Sequence, residues 1–131
     1  MAIKSVVDYV VTITVDDTKP VGQQITVDPD TFSTAPDRHV VFVIRNTGNN
    51  MHKVGLDRDR FKQKSGPNGP DTPIRFFGRF SDHVDAGDVG ALILQVKDKG
   101  DFKTPASTYK YKYTVEASGL PDLDPDIEIN N

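Results

Sequence analysis

Short runs of alternating apolar and polar residues, separated by turn-forming residues, restrict this chain to an all-β fold. Residues 8–16, DYVVTITVD, place Tyr9, Val11, Ile13 and Val15 on one face and polar side chains on the other. A period of two with β-branched residues is typical of a half-buried strand. Since no stretch of the chain has a convincing helical period, we expect no helical layer.

The stretch 39–56, HVVFVIRNTGNNMHKVGL, organises the rest of the chain. Residues 40–45 are apolar on both faces, which predicts a central strand. The segment NTGNN is rich in residues that tolerate left-handed backbone, and it predicts a turn into a second strand that begins at His52. If these two strands form a hairpin, His39 and His52 lie at opposite ends of it.

The same pattern predicts further strands along the chain, at residues 24–27, 74–80, 89–97, 109–115 and 126–130. Together they indicate a single Greek-key β-sandwich of about seven to nine strands covering residues 1–131. Polar loops are predicted at residues 31–37 and 98–108, and two further irregular segments stand out. One is a long surface loop at residues 57–73, and the other is an acidic Gly/Pro loop at residues 116–125.

Composition limits the chemistry available to the chain. At 131 residues it has room for one domain, and it contains no cysteine, which excludes disulfides, iron–sulfur clusters and thiolate metal sites. The formal net charge of −3 argues against a nucleic-acid binder. No segment approaches the roughly 18 apolar residues of a membrane helix, so we expect no membrane insertion. The first residues do not form a signal peptide, which predicts a cytoplasmic protein unless a leader has been removed.

The order of these pieces resembles the cupredoxin family. The resemblance rests on a strand that ends in Asn46, a turn that delivers His52, and a Gly turn at 86–87 before the long apolar strand. A Tyr-x-Tyr strand at 111–115 and a last short strand at 126–130 complete it. It implies a cupredoxin-like sandwich with His52 at a ligand position. In the family, the thiolate, the second histidine and the methionine lie on or beside the loop between the last two strands. Here that loop, 116–125, has no Cys, His or Met, so the resemblance implies a scaffold without type 1 copper and without a cofactor.

Metal binding without copper has two candidate sites. His52 pairs with His83 only if the segment 74–84 folds over the same end of the sandwich; the simpler interpretation is a half-buried histidine bonded to a backbone carbonyl. Asp122, Asp124 and Asp126 alternate in an oxygen-rich loop, but the spacing of a calcium-binding loop is absent. We therefore expect no metal site.

Catalytic motifs are missing from the sequence. No serine lies in a Gly-x-Ser-x-Gly elbow, and no phosphate loop or HExxH motif occurs. Ser81, Asp82 and His83 have triad residue types, but neighbours on a strand point to alternate faces. We expect no enzymatic activity.

Three functions remain open. The first hypothesis is a non-catalytic structural or protein-interaction module that self-associates or binds a partner, favoured by a basic segment at 58–79 and an acidic one at 116–131. The second is a small-ligand or carbohydrate-binding sandwich that uses the 57–80 loop and its aromatic residues, Phe80 included. The third is a metal-binding protein that uses His52. The residues predicted to contact a ligand or partner are His52, Phe61, Arg58, Arg60, Phe76 and Phe77.

Overall fold

The computed structural model describes residues 9–34, 38–57, 62–65, 76–96 and 108–130. Every regular element in these ranges is a strand. In chain order the strands are β1 (Tyr9–Val15), β2 (Ile25–Asp28), β3 (Thr31–Thr34), β4 (His39–Asn46), β5 (His52–Leu56), β6 (Lys62–Ser65), β7 (Phe76–Gly78), β8 (Ser81–Val84), β9 (Val89–Val96), β10 (Thr108–Lys112), β11 (Val115–Ala117) and β12 (Asp126–Asn130).

The strands form a sandwich in which a five-stranded sheet faces two smaller ones. The large sheet has the order β2-β1-β4-β9-β7, and the others have the orders β3-β12-β10-β6 and β11-β5-β8. Strand β4 is central, as its apolar residues on both faces predicted. It pairs in parallel with β1 and antiparallel with β9.

One hydrophobic core joins the three sheets. The inward residues of β1 and β4 follow the predicted alternation, and they pack with side chains from the two smaller sheets. The rings of Phe42 and Tyr113 meet edge-to-face across the core, with centroids 5.8 Å apart. The fully buried members that fill the core include Val11, Ile13, Val15, Val40, Phe42, Ile44, Val54, Leu92, Leu94, Tyr113, Val115 and Ile127.

Strands β4 and β5 do not pair as a hairpin. Both edges of β4 are already paired, with β1 on one side and β9 on the other. The turn at 47–51 therefore crosses to the opposite layer, where β5 lies between β11 and β8. Crossing between layers brings the start of β5 against the β1–β2 turn, and this contact builds the site described below.

The described residues form more strands than the predicted seven to nine, because several segments bend or change sheets. The single strand predicted at 109–115 is split: β10 pairs with β12 and β6, whereas β11 pairs with β5. The break lies at Tyr113 and Thr114, where the Tyr113 N–H donates to the carbonyl of Pro125. Strand β3 was predicted as polar loop, and β6 lies within the segment predicted as a long loop.

Candidate functional site

His52 is buried at the start of β5, with 6% of its surface exposed. Its Nδ1 lies 2.8 Å from the carbonyl oxygen of Ser118, and its Nε2 lies 2.9 Å from Oδ2 of Asp17. A carbonyl oxygen and an ionised carboxylate can only accept hydrogen bonds, so the ring donates from both nitrogens when it carries both protons. The structure thus shows a histidine bonded to a backbone carbonyl, and it adds a carboxylate partner that the sequence did not indicate.

Asp17 is the acceptor at the centre of this site. Besides His52, its carboxylate accepts the backbone N–H groups of Asn49 and Asn50 and the side-chain amide of Asn50. These donors, that of Asn49 above all, hold the pKa of Asp17 well below its usual range. The neighbouring Asp16 accepts bonds from the hydroxyl and the backbone N–H of Thr18, and these lower its pKa as well.

The turn after β4 is shaped by Asn46, which is 1% exposed. Its side-chain amide donates to the carbonyl oxygens of Asn50 (2.8 Å) and Val84 (2.9 Å), and its Oδ1 accepts the N–H of Gly48. Gly48 passes close to Asp17: a Cβ there would lie 2.7 Å from the Asp17 Oδ1. We call Asp17, Asn46, Asn50, His52 and Ser118 the turn cluster, because they join three turns at one end of the sandwich.

The lowered pKa of Asp17 predicts acid-sensitive stability. Because the folded state holds the carboxylate ionised below its ordinary pKa of 3.8, this contribution is present above that value and is lost as pH falls through the folded pKa. We expect Asp17→Asn to lower stability at pH 7 and to flatten the fall in stability below pH 4, measured by urea unfolding at several pH values.

The control for this pH experiment is Asp28→Asn, which removes one exposed carboxylate from β2 and leaves the turn cluster intact. It corrects for the change in net charge. An Asp17→Asn protein with the same acid dependence as the control would contradict the assignment of the effect to the turn cluster.

The structure does not bring the predicted metal-ligating histidines together. On β8, Val84 pairs with His52, and its neighbour His83 pairs with Lys53. Because neighbouring residues on a strand point to opposite faces, the exposed side chain of His83 points away from that of His52. His39 begins β4 in the five-stranded sheet. Within the described part of the chain, no group of three or more His, Cys, Asp or Glu side chains is arranged to hold a metal ion.

Of the predicted acidic triplet, the structure describes the side chains of Asp122 and Asp124. Asp124 accepts a 2.7 Å hydrogen bond from the Thr114 hydroxyl, which fixes it against the break between β10 and β11. Asp122 lies on the loop before β12, and the side chain of Asp126 is not among those described. The loop predicted at 116–125 is partly paired, since Val115 and Leu123 exchange two backbone hydrogen bonds.

Several predicted contact residues fall outside what the structure describes. Arg58, Arg60 and Phe61 lie beyond the described ranges, and Phe76 and Phe77 belong to β7 without described side chains. The basic segment at 58–79 is for the same reason mostly outside these ranges. Phe80, the remaining aromatic residue of that set, is half-buried and packs against the core.

An apolar patch, which sequence analysis did not single out, lies on the outer face of β1, β4 and β9. Val10, Val41 and Ile93 form one row across the three strands, and Val43 and Ala91 continue it in the next. Val10 is 51% exposed and Ile93 54%. We call this surface, with Val89 beside it, the outer valine face. Only one charged residue of these three strands lies on this face, as far as the structure describes them. It is Arg45.

Comparison with known proteins supports the fold and little beyond it. The chain matches no protein-family model, and no curated protein matches it either. Among solved structures, it is similar to a chain of the CsuC–CsuE chaperone–tip adhesion subunit pre-assembly complex of Acinetobacter baumannii. That match has a TM-score of 0.59 and 12% identity, and it covers 79% of this chain and 50% of that one.

Two further structures show the same likeness. A variant of the McoA multicopper oxidase of Aquifex aeolicus matches with a TM-score of 0.54 and 12% identity, over 100% of this chain and 31% of that one. A PapD-like domain of human CEP192 matches with a TM-score of 0.50 and 14% identity, over 78% and 80%. At such identities the likeness shows the fold alone. The predicted class, an all-β sandwich of cupredoxin-like topology, is confirmed.

The described residues also contain no helix long and apolar enough to cross a membrane. The chain spans half of the Acinetobacter chain and less than a third of the multicopper oxidase. What those longer proteins do is therefore no guide to this chain beyond its architecture.

Proposed function

We propose that this protein is a non-catalytic protein-interaction module that docks through the outer valine face. The observation behind the proposal is the row Val10–Val41–Ile93, which is contiguous across three strands. Single exposed apolar residues are ordinary on protein surfaces, whereas contiguous patches mark interaction sites.

The chemistry of this face favours a second β-sheet as its partner. Its side chains are short and β-branched, and they form a flat surface of the kind that packs face to face with another sheet. Arg45 lies at one end, so the centre is free of charges that would need to be desolvated. The occupant to which we commit is a second copy of this chain, in which the same face is repeated by two-fold symmetry.

The size of the face sets the strength of the contact. The three strands of the face, spaced about 4.8 Å apart and roughly 25 Å long, offer on the order of 350 Å². Stable interfaces bury about 800 Å² on each partner. The expected association is therefore weak and concentration-dependent.

Support for a non-catalytic role comes from His52. Both of its ring nitrogens are held by structural partners, the Ser118 carbonyl and the Asp17 carboxylate. A ring held in this way has no free nitrogen to act as a base or to bind a metal. This weakens the hypothesis of a metal-binding protein built on His52.

Sedimentation velocity over a range of concentrations tests the proposal. We expect the sedimentation coefficient of the wild-type protein to rise with concentration, and Ile93→Lys to remain monomeric because it buries a charge at the centre of the contact. The matched control is Val21→Lys, which adds the same charge at a residue 79% exposed in the β1–β2 turn and should behave as the wild type. A wild-type protein that is monomeric at all concentrations would overturn self-association.

A further inference from the structure

A second surface lies on the opposite side of the sandwich. An open cleft of about 580 Å³ crosses the outer face of the β11-β5-β8 sheet. Its walls include Lys53, Asp57, Phe80, Glu116, Leu120 and Asp122. The volume falls within the usual range of small-molecule sites, about 300–1,000 Å³.

The cleft exists because of Gly55 in the middle of β5. Val54 and Leu56 point into the core, so Gly55 belongs to the outer face, in one row with Ser81 and Glu116. A Cβ at Gly55 would lie 2.5 Å from the Phe80 carbonyl oxygen and 2.8 Å from the Ser81 Cβ. Glycine therefore allows segment 80–81 to close one end of the cleft, and it leaves the floor free of a side chain at position 55.

The polar groups of the cleft define what a ligand must offer. Asp57, Glu116 and Asp122 are carboxylates, which in ionised form only accept hydrogen bonds, whereas Lys53 only donates. A carboxylate has about four lone-pair sites, so it accepts from a ligand in addition to its contacts within the protein. Hydroxyl groups satisfy both kinds of partner at once.

Charge and apolar surface narrow the ligand class. Three carboxylates against one ammonium group disfavour an anion. Phe80 and Leu120, both half-buried against the core, contribute apolar surface to the wall. A saccharide has hydroxyl groups at its rim and an apolar C–H face that packs on such surface.

We propose that this cleft binds a neutral polyhydroxylated ligand, a short saccharide. Its hydroxyl groups donate to Glu116, Asp57 and Asp122 and accept from Lys53, and its apolar face rests on Phe80 and Leu120. The site is separate from the outer valine face, so its occupancy does not require the self-association proposed above.

The test is a titration of ¹⁵N-labelled Ile93→Lys protein, kept monomeric, with maltose, cellobiose and lactose, and with putrescine as a cationic probe. We expect at least one disaccharide to shift the backbone amide signals of residues 53–57 and 116–122 in a saturable way. Glu116→Gln should weaken that binding roughly tenfold, because it replaces a charged acceptor with a neutral amide oxygen, which forms a weaker hydrogen bond.

The control variant is Asp28→Asn, which removes a carboxylate from the other sheet and should bind as the parent protein does. Both variants are checked for a native set of amide signals. The proposal is overturned if none of the disaccharides shifts these signals, or if Glu116→Gln binds as tightly as the control. It is also overturned if putrescine alone shifts them, which would make the cleft a cation site.

Discussion

Replacing Asn46 with leucine should lower the free energy of unfolding by about 3 kcal/mol, since it leaves buried backbone groups without partners. The Asn46 side chain donates to the carbonyls of Asn50 and Val84, and it accepts from the Gly48 N–H. Leucine has a similar volume but none of these groups. For a domain of this length the loss corresponds to a fall in Tm of about 10 °C, measurable by calorimetry.

Two variants separate hydrogen bonding from packing at this position. Asn46→Asp keeps the shape but removes the two amide donors, so it should be destabilised as well. Asn49→Ala changes an exposed side chain in the same turn. Asn49 contacts Asp17 through its backbone N–H, which alanine keeps, so the stability of this variant should remain near that of the wild type. An Asn46→Asp protein of wild-type stability would show that the amide donors are dispensable.

Replacing His52 with alanine should cost about 2 kcal/mol, or roughly 7 °C in Tm. The variant loses the bonds to the Ser118 carbonyl and to the Asp17 carboxylate, which link the loop after β11 to the β1–β2 turn. Amide hydrogen exchange should then be faster at residues 48–50 and 118–120, because these turns are no longer tied together.

His83→Ala is the matched control for His52, since it removes an imidazole from the neighbouring strand at an exposed position. Its effect should stay within about 0.5 kcal/mol. Equal losses of stability in the two variants would contradict this prediction. They would mean that the buried hydrogen bonds of His52 contribute no more to the free energy of unfolding than the exposed ring of His83 does.

The strands that were predicted from the sequence are those with the clearest apolar pattern. Strand β1 alternates because one face meets the core while the other is less buried, whereas β4 was predicted from apolar residues on both faces. The pattern along one strand says nothing about its partner, so the pairing of β4 with β1 rather than β5 was missed. Strands β3 and β6 were missed because their residues, TFST and KQKS, are mostly polar and receive their backbone bonds from β12 and β10.

The turn cluster was only half predictable. His52 stands out because histidine is rare in this chain, and the NTGNN segment beside it signals a turn. Asp17 lies 35 positions earlier in DTKPVG, where an aspartate is ordinary turn chemistry. Its role depends on which turns share an end of the sandwich, and topology alone decides that.

The parallel pairing of β3 with β12 has a consequence for how the chain acquires its structure. Thr31 aligns with Asp126, so about three-quarters of the sequence separates the two partners. Contacts of such long range are slow to form, because the entropy cost of closing the intervening loop arises before the hydrogen bonds between the strands can offset it. On a ribosome, β3 would emerge before its partner β12. The pairing of β3 is therefore completed only once β12 has been synthesised. The sandwich is therefore closed by one of its last strands.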